Sequence, residues 1–289
     1  MQNARVIAVI AAAATASAAT ATTGYGVTGM PGGGARLVTF DSNDPSSLTV
    51  VGDTGLQSRV LGLEYVNDQL LVWDNNDFTG QQGGGGLYQL DPNTGAATFI
   101  GGQQFSGDVD DLAYNPANDT LYALARVGGS SDIFEINPNT GAINNQSDIL
   151  NSSQNRFRGF AFDATGTAYL IDEDDDRLWT AESFPIGWLI DSISPPGVFG
   201  QLSSDQGFYI DHQNTGDALV AANNSISSDL RTISLTDGTL LEEREWGKIP
   251  PSLNQQPDIY DLVLIPTPAP AALLIPAALS TATRRRRST

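Results

Sequence analysis

Carboxylates supply most of the chemistry this chain could do. Its 289 residues hold 33 Asp and Glu against 14 Lys and Arg, with one His and no Cys. The single histidine, His212, leaves no material for a Ser-His-Asp triad or a His-based zinc site within one chain. The lack of cysteine removes thiol nucleophiles and thiolate metal ligands. What remains is acid and base work by paired carboxyls, or coordination of a hard cation by oxygen. The densest acidic run is Asp172-Glu173-Asp174-Asp175-Asp176. Asp172, Asp174 and Asp176 are the first candidate metal ligands, Asp74 and Asp77 the second, and calcium is the ion such oxygen sets take. No spaced calcium-loop consensus accompanies them, and contiguous acids also form plain solvated loops, so the two readings compete.

A second acidic set, Asp110, Asp111, Asp205 and Asp258, stands at or just before apolar strand-like runs. Gathered in one place, these acids would suit a calcium-dependent hydrolase or lactonase, or a paired-carboxylate glycosidase. Whether they gather depends on the elements that carry them.

Those elements repeat. LYQLDPNTG (87–95) returns as IFEINPNTG (133–141), with weaker copies beginning at Leu37, Leu178 and Leu230. In the two best copies an Asx side chain caps the backbone, Pro presets φ and Gly supplies positive φ, which together define a hairpin turn. Ahead of this strand run two others. One is GLEYV, DLAYN, GFAFD, GFYID and DLVLI, beginning at 62, 111, 159, 207 and 261. The next is LLVWD, LYALA, AYLID and LVAAN, beginning at 70, 121, 168 and 219. A fourth strand follows the turn, clearest at 48–52 and 97–101. The hairpin starts at 37, 87, 133, 178 and 230 give spacings of 50, 46, 45 and 52 residues. Four strands per unit at a period slightly above 40 residues predict an all-β fold, a β-propeller of four-stranded blades.

With the strands of a blade lettered A to D, the chain ends on an A strand at 261–265. The missing B, C and D strands lie at the other end, near 25, 37 and 48. Five blades closed by pairing of the N- and C-terminal strands follow, spanning 22–265, and closure hides the sheet edges. Alternating strand direction sends the D-to-A and B-to-C loops to one face. That face collects Asp74, Asp77, Asp108, Asp110, Asp111, Arg156, Arg158, Asp172–Asp176, Asp205, Asp258 and Asp261. The Asp-Pro-Asn-Thr-Gly turns and His212 fall on the opposite face. The glycine runs 32–34 and 83–86 precede no helix and carry no Walker lysine, so they read as B-to-C loops rather than phosphate sites. Trp188, Phe199 and Trp246 lie in less regular stretches, where they would pack locally or form a sugar-stacking platform.

The order of apolar A strand, Asx-Gly link, B strand ending in Asp and then C strand resembles the NHL and lactonase-like propeller superfamily, most closely in DATGTAYLIDEDDDRLW (163–179). The resemblance implies architecture, not one activity. At the ends, residues 1–21 have the charge, apolar run and small cleavage residues of a secretory signal peptide. Residues 266–289 run from a Pro-rich hinge (Pro266, Pro268, Pro270) through a short apolar segment, 271–282, to Arg284–Arg287. That layout resembles the PEP-CTERM sorting tail, although Thr267 and Ala269 separate the prolines and no Glu does. The resemblance implies an exosortase-like membrane protease as processing partner and a C-terminal membrane anchor, transient if cut.

With terminal arginines set aside, the body carries nine basic and 33 acidic residues, a net charge of −24. Such a surface repels phosphate backbones and excludes nucleic acid as a partner class. The expectation is an exported monomer at the cell surface or in the matrix. It would be a non-enzymatic propeller that binds a polysaccharide, a surface protein or a cation through its acidic face. The hydrolase, lactonase or glycosidase is the alternative.

Overall fold

The computed structural model describes residues 22–29, 34–56, 60–76, 82–102, 107–150, 156–198, 206–211, 217–223, 228–247 and 259–265. The expected leader 1–21 and tail 266–289 lie outside the described residues, as do Asp77, Phe199, Asp205, His212 and Asp258. Among the described residues no helix is long and apolar enough to cross a membrane.

Twenty strands form five antiparallel groups of four. The first blade is β4 (Val60–Val66), β5 (Gln69–Asn76), β6 (Gln82–Leu90) and β7 (Ala97–Gly101). The second is β8 (Asp108–Asn115), β9 (Thr120–Val127), β10 (Ser130–Ile136) and β11 (Ile143–Leu150). The third is β12 (Phe157–Phe162), β13 (Ala168–Asp172), β14 (Arg177–Phe184) and β15 (Gly187–Ser192). The fourth is β16 (Gln206–Ile210), β17 (Asp217–Asn223), β18 (Ser228–Ser234) and β19 (Leu240–Glu245). The closing blade joins the two ends of the chain: β20 (Ile259–Ile265) pairs with β1 (Thr23–Gly29), which continues into β2 (Ala35–Asp41) and β3 (Asp44–Asp53). The inner strands β4, β8, β12, β16 and β20 touch in that order and back to β4, so the ring is closed. This is the five-bladed propeller the repeat predicts.

Burial falls from the axis outward, and the sequences follow. Every residue of β12, Phe157–Phe162, is buried, whereas β19 (LLEERE) is almost wholly exposed. Trp73 of β5 is fully buried and packs with Leu87, Leu112 and Leu121 across two blades. Most of the aromatics on A and B strands serve as core in this way. Trp188 and Trp246 are buried too, on Tyr122 and Phe162 in one case and edge-on to Phe40 in the other. Both therefore pack locally and present no open stacking face.

The glycine run 83–86 departs from expectation, because these residues belong to β6 instead of a loop. A side chain at Gly85 would collide with the Trp73 indole and one at Gly86 with the Phe99 ring. Glycine here makes room for a large buried aromatic in the next strand.

The Asp-Pro-Asn-Thr-Gly turns form as the residue types dictate. Asp91 Oδ1 accepts from Asn93 N at 2.8 Å, the Asp91 carbonyl accepts from Gly95 N at 2.8 Å, and Gly95 has φ +80°. Asn137 and Gly141 repeat the pattern at 2.9 and 2.8 Å. Each turn then abuts the outer strand of the preceding blade. Thr94-Gly95 sits on Gly52, Thr140-Gly141 on Gly101, Gly187 on Asp148, Gly238 on Ser194, and Gly247 meets Ser46 where the ring closes. The hairpin turn is thus a joint at the rim, repeated at all five junctions.

Candidate functional site

The inner strands carry three buried carboxyl groups, Asp111 on β8, Asp261 on β20 and Glu64 on β4, exposed by 1, 2 and 9%. Each grips two strands. Asp111 Oδ1 accepts from its own neighbour Leu112 N at 2.8 Å, and Oδ2 accepts from Phe160 N of the next blade at 2.7 Å. Asp261 Oδ1 accepts from Leu262 N at 2.7 Å, and Oδ2 accepts a short bond from Leu63 N of the next blade. Glu64 accepts from Tyr65 N at 2.8 Å and, across the junction, from Tyr114 N at 2.9 Å. Inner strands that diverge from the axis cannot pair edge to edge, so a carboxylate bridges the N–H groups that would otherwise be orphaned. Where no acid bridges, close backbone approach serves instead: Gly159 lies against Phe208 and Gly207 against Asp261.

Burial is the dominant electrostatic effect at all three. It pushes Glu64 up to about 8, against the lowering by its two N–H donors. It raises Asp261 to about 7 and Asp111 well above the usual carboxylate range. Asp111 and Asp261 also interact with each other, and the Asp261 charge raises Asp111 further. They flank β4, where Gly62, at φ +69° and tight against Leu112, leaves no side chain between the neighbouring strands.

Toward the face of the D-to-A and B-to-C loops lies an ionic network. β8 bulges at Asp110 and β12 at Arg158, which turns two successive polar residues of each strand in different directions. Arg158 Nη1 donates a short bond to Asp110, and its Nε donates to Glu173 at 2.8 Å. Arg126 approaches Asp110 at 3.6 Å, and Arg156 approaches Glu173 at 3.6 Å and Asp174 at 3.7 Å. Burial raises Asp110, and the two guanidinium groups oppose that rise. Burial would lower Arg158, but Asp110 and Glu173 more than offset it. Asn75, near the end of β5, clasps β8 by exchanging two 2.8 Å bonds with the Val109 backbone.

Of the acids singled out in the sequence, Asp110, Asp111 and Asp261 lie on the inner strands of the ring. Asp172 is buried at the end of β13, where it accepts from Asp174 N at 3.0 Å to close the β13–β14 turn. Asp174 faces Arg156, Asp176 occupies a left-handed turn position at φ +48°, and Asp74 is buried on a different blade. Among the described residues no three His, Cys, Asp or Glu side chains gather as metal ligands. Asp77, the remaining candidate ligand, lies outside the described residues.

Glu64 went unremarked in the sequence. Its cue was present: GLEYV places a charge where the other A strands carry Ala113, Ala161, Tyr209 and Val263.

The family described as a domain of unknown function (DUF4394) matches residues 36–256, most of the propeller. The chain belongs to that family. Among curated proteins none matches this DUF4394 member. Solved structures similar to it include a putative 6-phosphogluconolactonase from Bacteroides fragilis, with 11% identity over 87% of this chain and 99% of the other at a TM-score of 0.49. Another is the periplasmic gluconolactonase of Pseudomonas aeruginosa, with 14% identity over 86% and 100% of the two chains and a TM-score of 0.43. The calcium-binding protein regucalcin of Agrobacterium tumefaciens matches with 19% identity over 77% and 74%, at 0.40. Similarities this low carry no argument about activity, and the propeller rests on the strand order of the chain itself.

Proposed function

We propose that this DUF4394 member is an exported ligand-binding propeller that presents its acidic loop face to a polysaccharide, a surface protein or a cation outside the cell. One observation carries the reading: the described acids at the ring are engaged in holding blades together. Asp111, Asp261 and Glu64 bridge backbone N–H groups, and Asp110 is matched by Arg158 and Arg126. A general base needs an accessible lone pair aimed at substrate. Exposed Asp174 and Asp175 remain at the rim of that face to meet a partner. Export rests on the leader-like residues 1–21. Surface or matrix placement through an exosortase-like protease rests on the tail 266–289.

A second reading is a lactonase or related hydrolase acting at the channel mouth. Several similar solved structures are named as lactonases. In this chain the specific observation in its favour is the Asp111–Asp261 pair, two buried carboxyls that interact, with Asp261 pushed up to about 7. Hydrolysis of δ-gluconolactone, followed with and without added calcium, separates the two. The binding reading expects no turnover above the spontaneous rate. Turnover lost on Asp111→Asn, with the fold intact by circular dichroism, would establish the hydrolase. Intact-mass measurement on protein from its native cells tests export, with loss of 1–21 and of the residues after about 265 as the expected result.

A further inference from the structure

We propose that the cleft between the second and third blades, on the face opposite the acidic loops, binds a neutral saccharide. The cleft encloses about 610 Å³, within the range of small-ligand sites. Its walls are the A-to-B turns of both blades and the paired strands β14 and β15 of the third. This junction differs from the other four. Among the described residues, outer strands of adjacent blades pair only here, in parallel, through Ile149 with Trp188 and Leu150 with Leu189. Gly187 permits the approach, because a side chain there would meet the Asp148 carbonyl and Leu150. The outer wall is therefore fixed before any ligand arrives.

The lining combines an apolar wall with unspent polar groups. Trp188 and Tyr122 meet edge to face at 5.9 Å. The Tyr122 hydroxyl accepts from Asn118 Nδ2 at 3.0 Å, which leaves its own proton available to donate into the cleft. Glu182 and Ser183 are exposed, and their side chains make no hydrogen bond or ion pair among the described residues. Hydroxyl donors and a carboxylate acceptor suit the hydroxyl rim of a pyranose, and the edges of Tyr122 and Trp188 give its C–H groups an apolar floor without ring stacking. Among the described residues no Lys or Arg lines the cleft, while Glu182 and Asp191 both do. A uronic acid or a phosphorylated sugar would meet uncompensated negative charge.

The test is retention on an array of neutral and uronic-acid oligosaccharides with spermidine as a cationic probe, followed by calorimetric titration of the strongest neutral hit. The expected result is binding to neutral sugars alone. Tyr122→Phe and Glu182→Ala should each weaken it about tenfold while the thermal midpoint of the Glu182 variant stays unchanged. Asp174→Ala, on the opposite face, should leave the affinity as it was. Absence of any neutral hit, preference for uronic acids or spermidine, or affinity indifferent to both cleft variants would overturn the proposal. So would a loss confined to Asp174→Ala, which would place the sugar on the acidic face.

Discussion

Asp111 shows how one side chain sets the behaviour of the ring. Its two oxygens hold N–H groups of adjacent blades, and a third interaction ties it to Asp261. In Asp111→Asn one bridging oxygen becomes an NH₂ that faces an N–H donor. The expected loss is about 1–3 kcal/mol for a buried donor left unsatisfied, measured by urea denaturation. Asp174→Ala, exposed and facing only Arg156, should change stability by less than about 0.5 kcal/mol. The importance of Asp111 could be anticipated from the sequence, because an acid opened an otherwise apolar A strand. Its role could not. A carboxylate that bridges two backbones and one that awaits a metal have the same letters, and only the position of the next blade's N–H groups distinguishes them. Glu64 was harder still, since its bonding partner Tyr114 lies fifty residues away.

At the scale of the element, the C-to-D turn is the unit on which the blades meet. Gly101 has no special φ, yet a Cβ there would fall on the Thr140 carbonyl of the next turn. Gly101→Ala should therefore cost about 1–3 kcal/mol through forced displacement of backbone. Gly55→Ala is the contrast. It has φ +78° with open space around it, so only conformational strain applies, about 1 kcal/mol. Comparison of the two urea midpoints checks whether the turn acts as a rim joint. The turn itself was legible, since Asp-Pro-Asn-Thr-Gly specifies its geometry through local chemistry. Its docking on the preceding blade was not, because the Gly52 and Gly101 partners belong to other repeats and look like ordinary strand glycines. The run 83–86 misled for the same reason: glycine signals a loop locally, whereas here Gly85 answers to Trp73 and Gly86 to Phe99 in the strands beside it.

For the whole molecule, period and strand order were enough to give five blades and the one-plus-three closure, because β-propeller periodicity survives weak sequence identity between repeats. Closure makes the far ends of the chain interdependent. Deletion of 259–265 removes the inner strand of the closing blade and Asp261 with it, exposing the edge of β1. That truncation should lose cooperative unfolding and associate, as seen by calorimetry and size-exclusion chromatography. The closed ring also buries acids that bind protons more tightly folded than unfolded. Their stabilising contribution is fully present below about pH 4, the ordinary carboxyl range of an unfolded chain. It is lost as pH rises through the folded values of about 7 for Asp261 and about 8 for Glu64. The buried acids brace the ring in their protonated state, and the thermal midpoint of the intact protein measured at pH 5 and at pH 8.5 is the direct check. The midpoint should be several degrees lower at pH 8.5, with the difference reduced in Asp111→Asn and Glu64→Gln. A midpoint that is unchanged or higher at pH 8.5 would show the carboxyls ionised throughout, and would contradict that role.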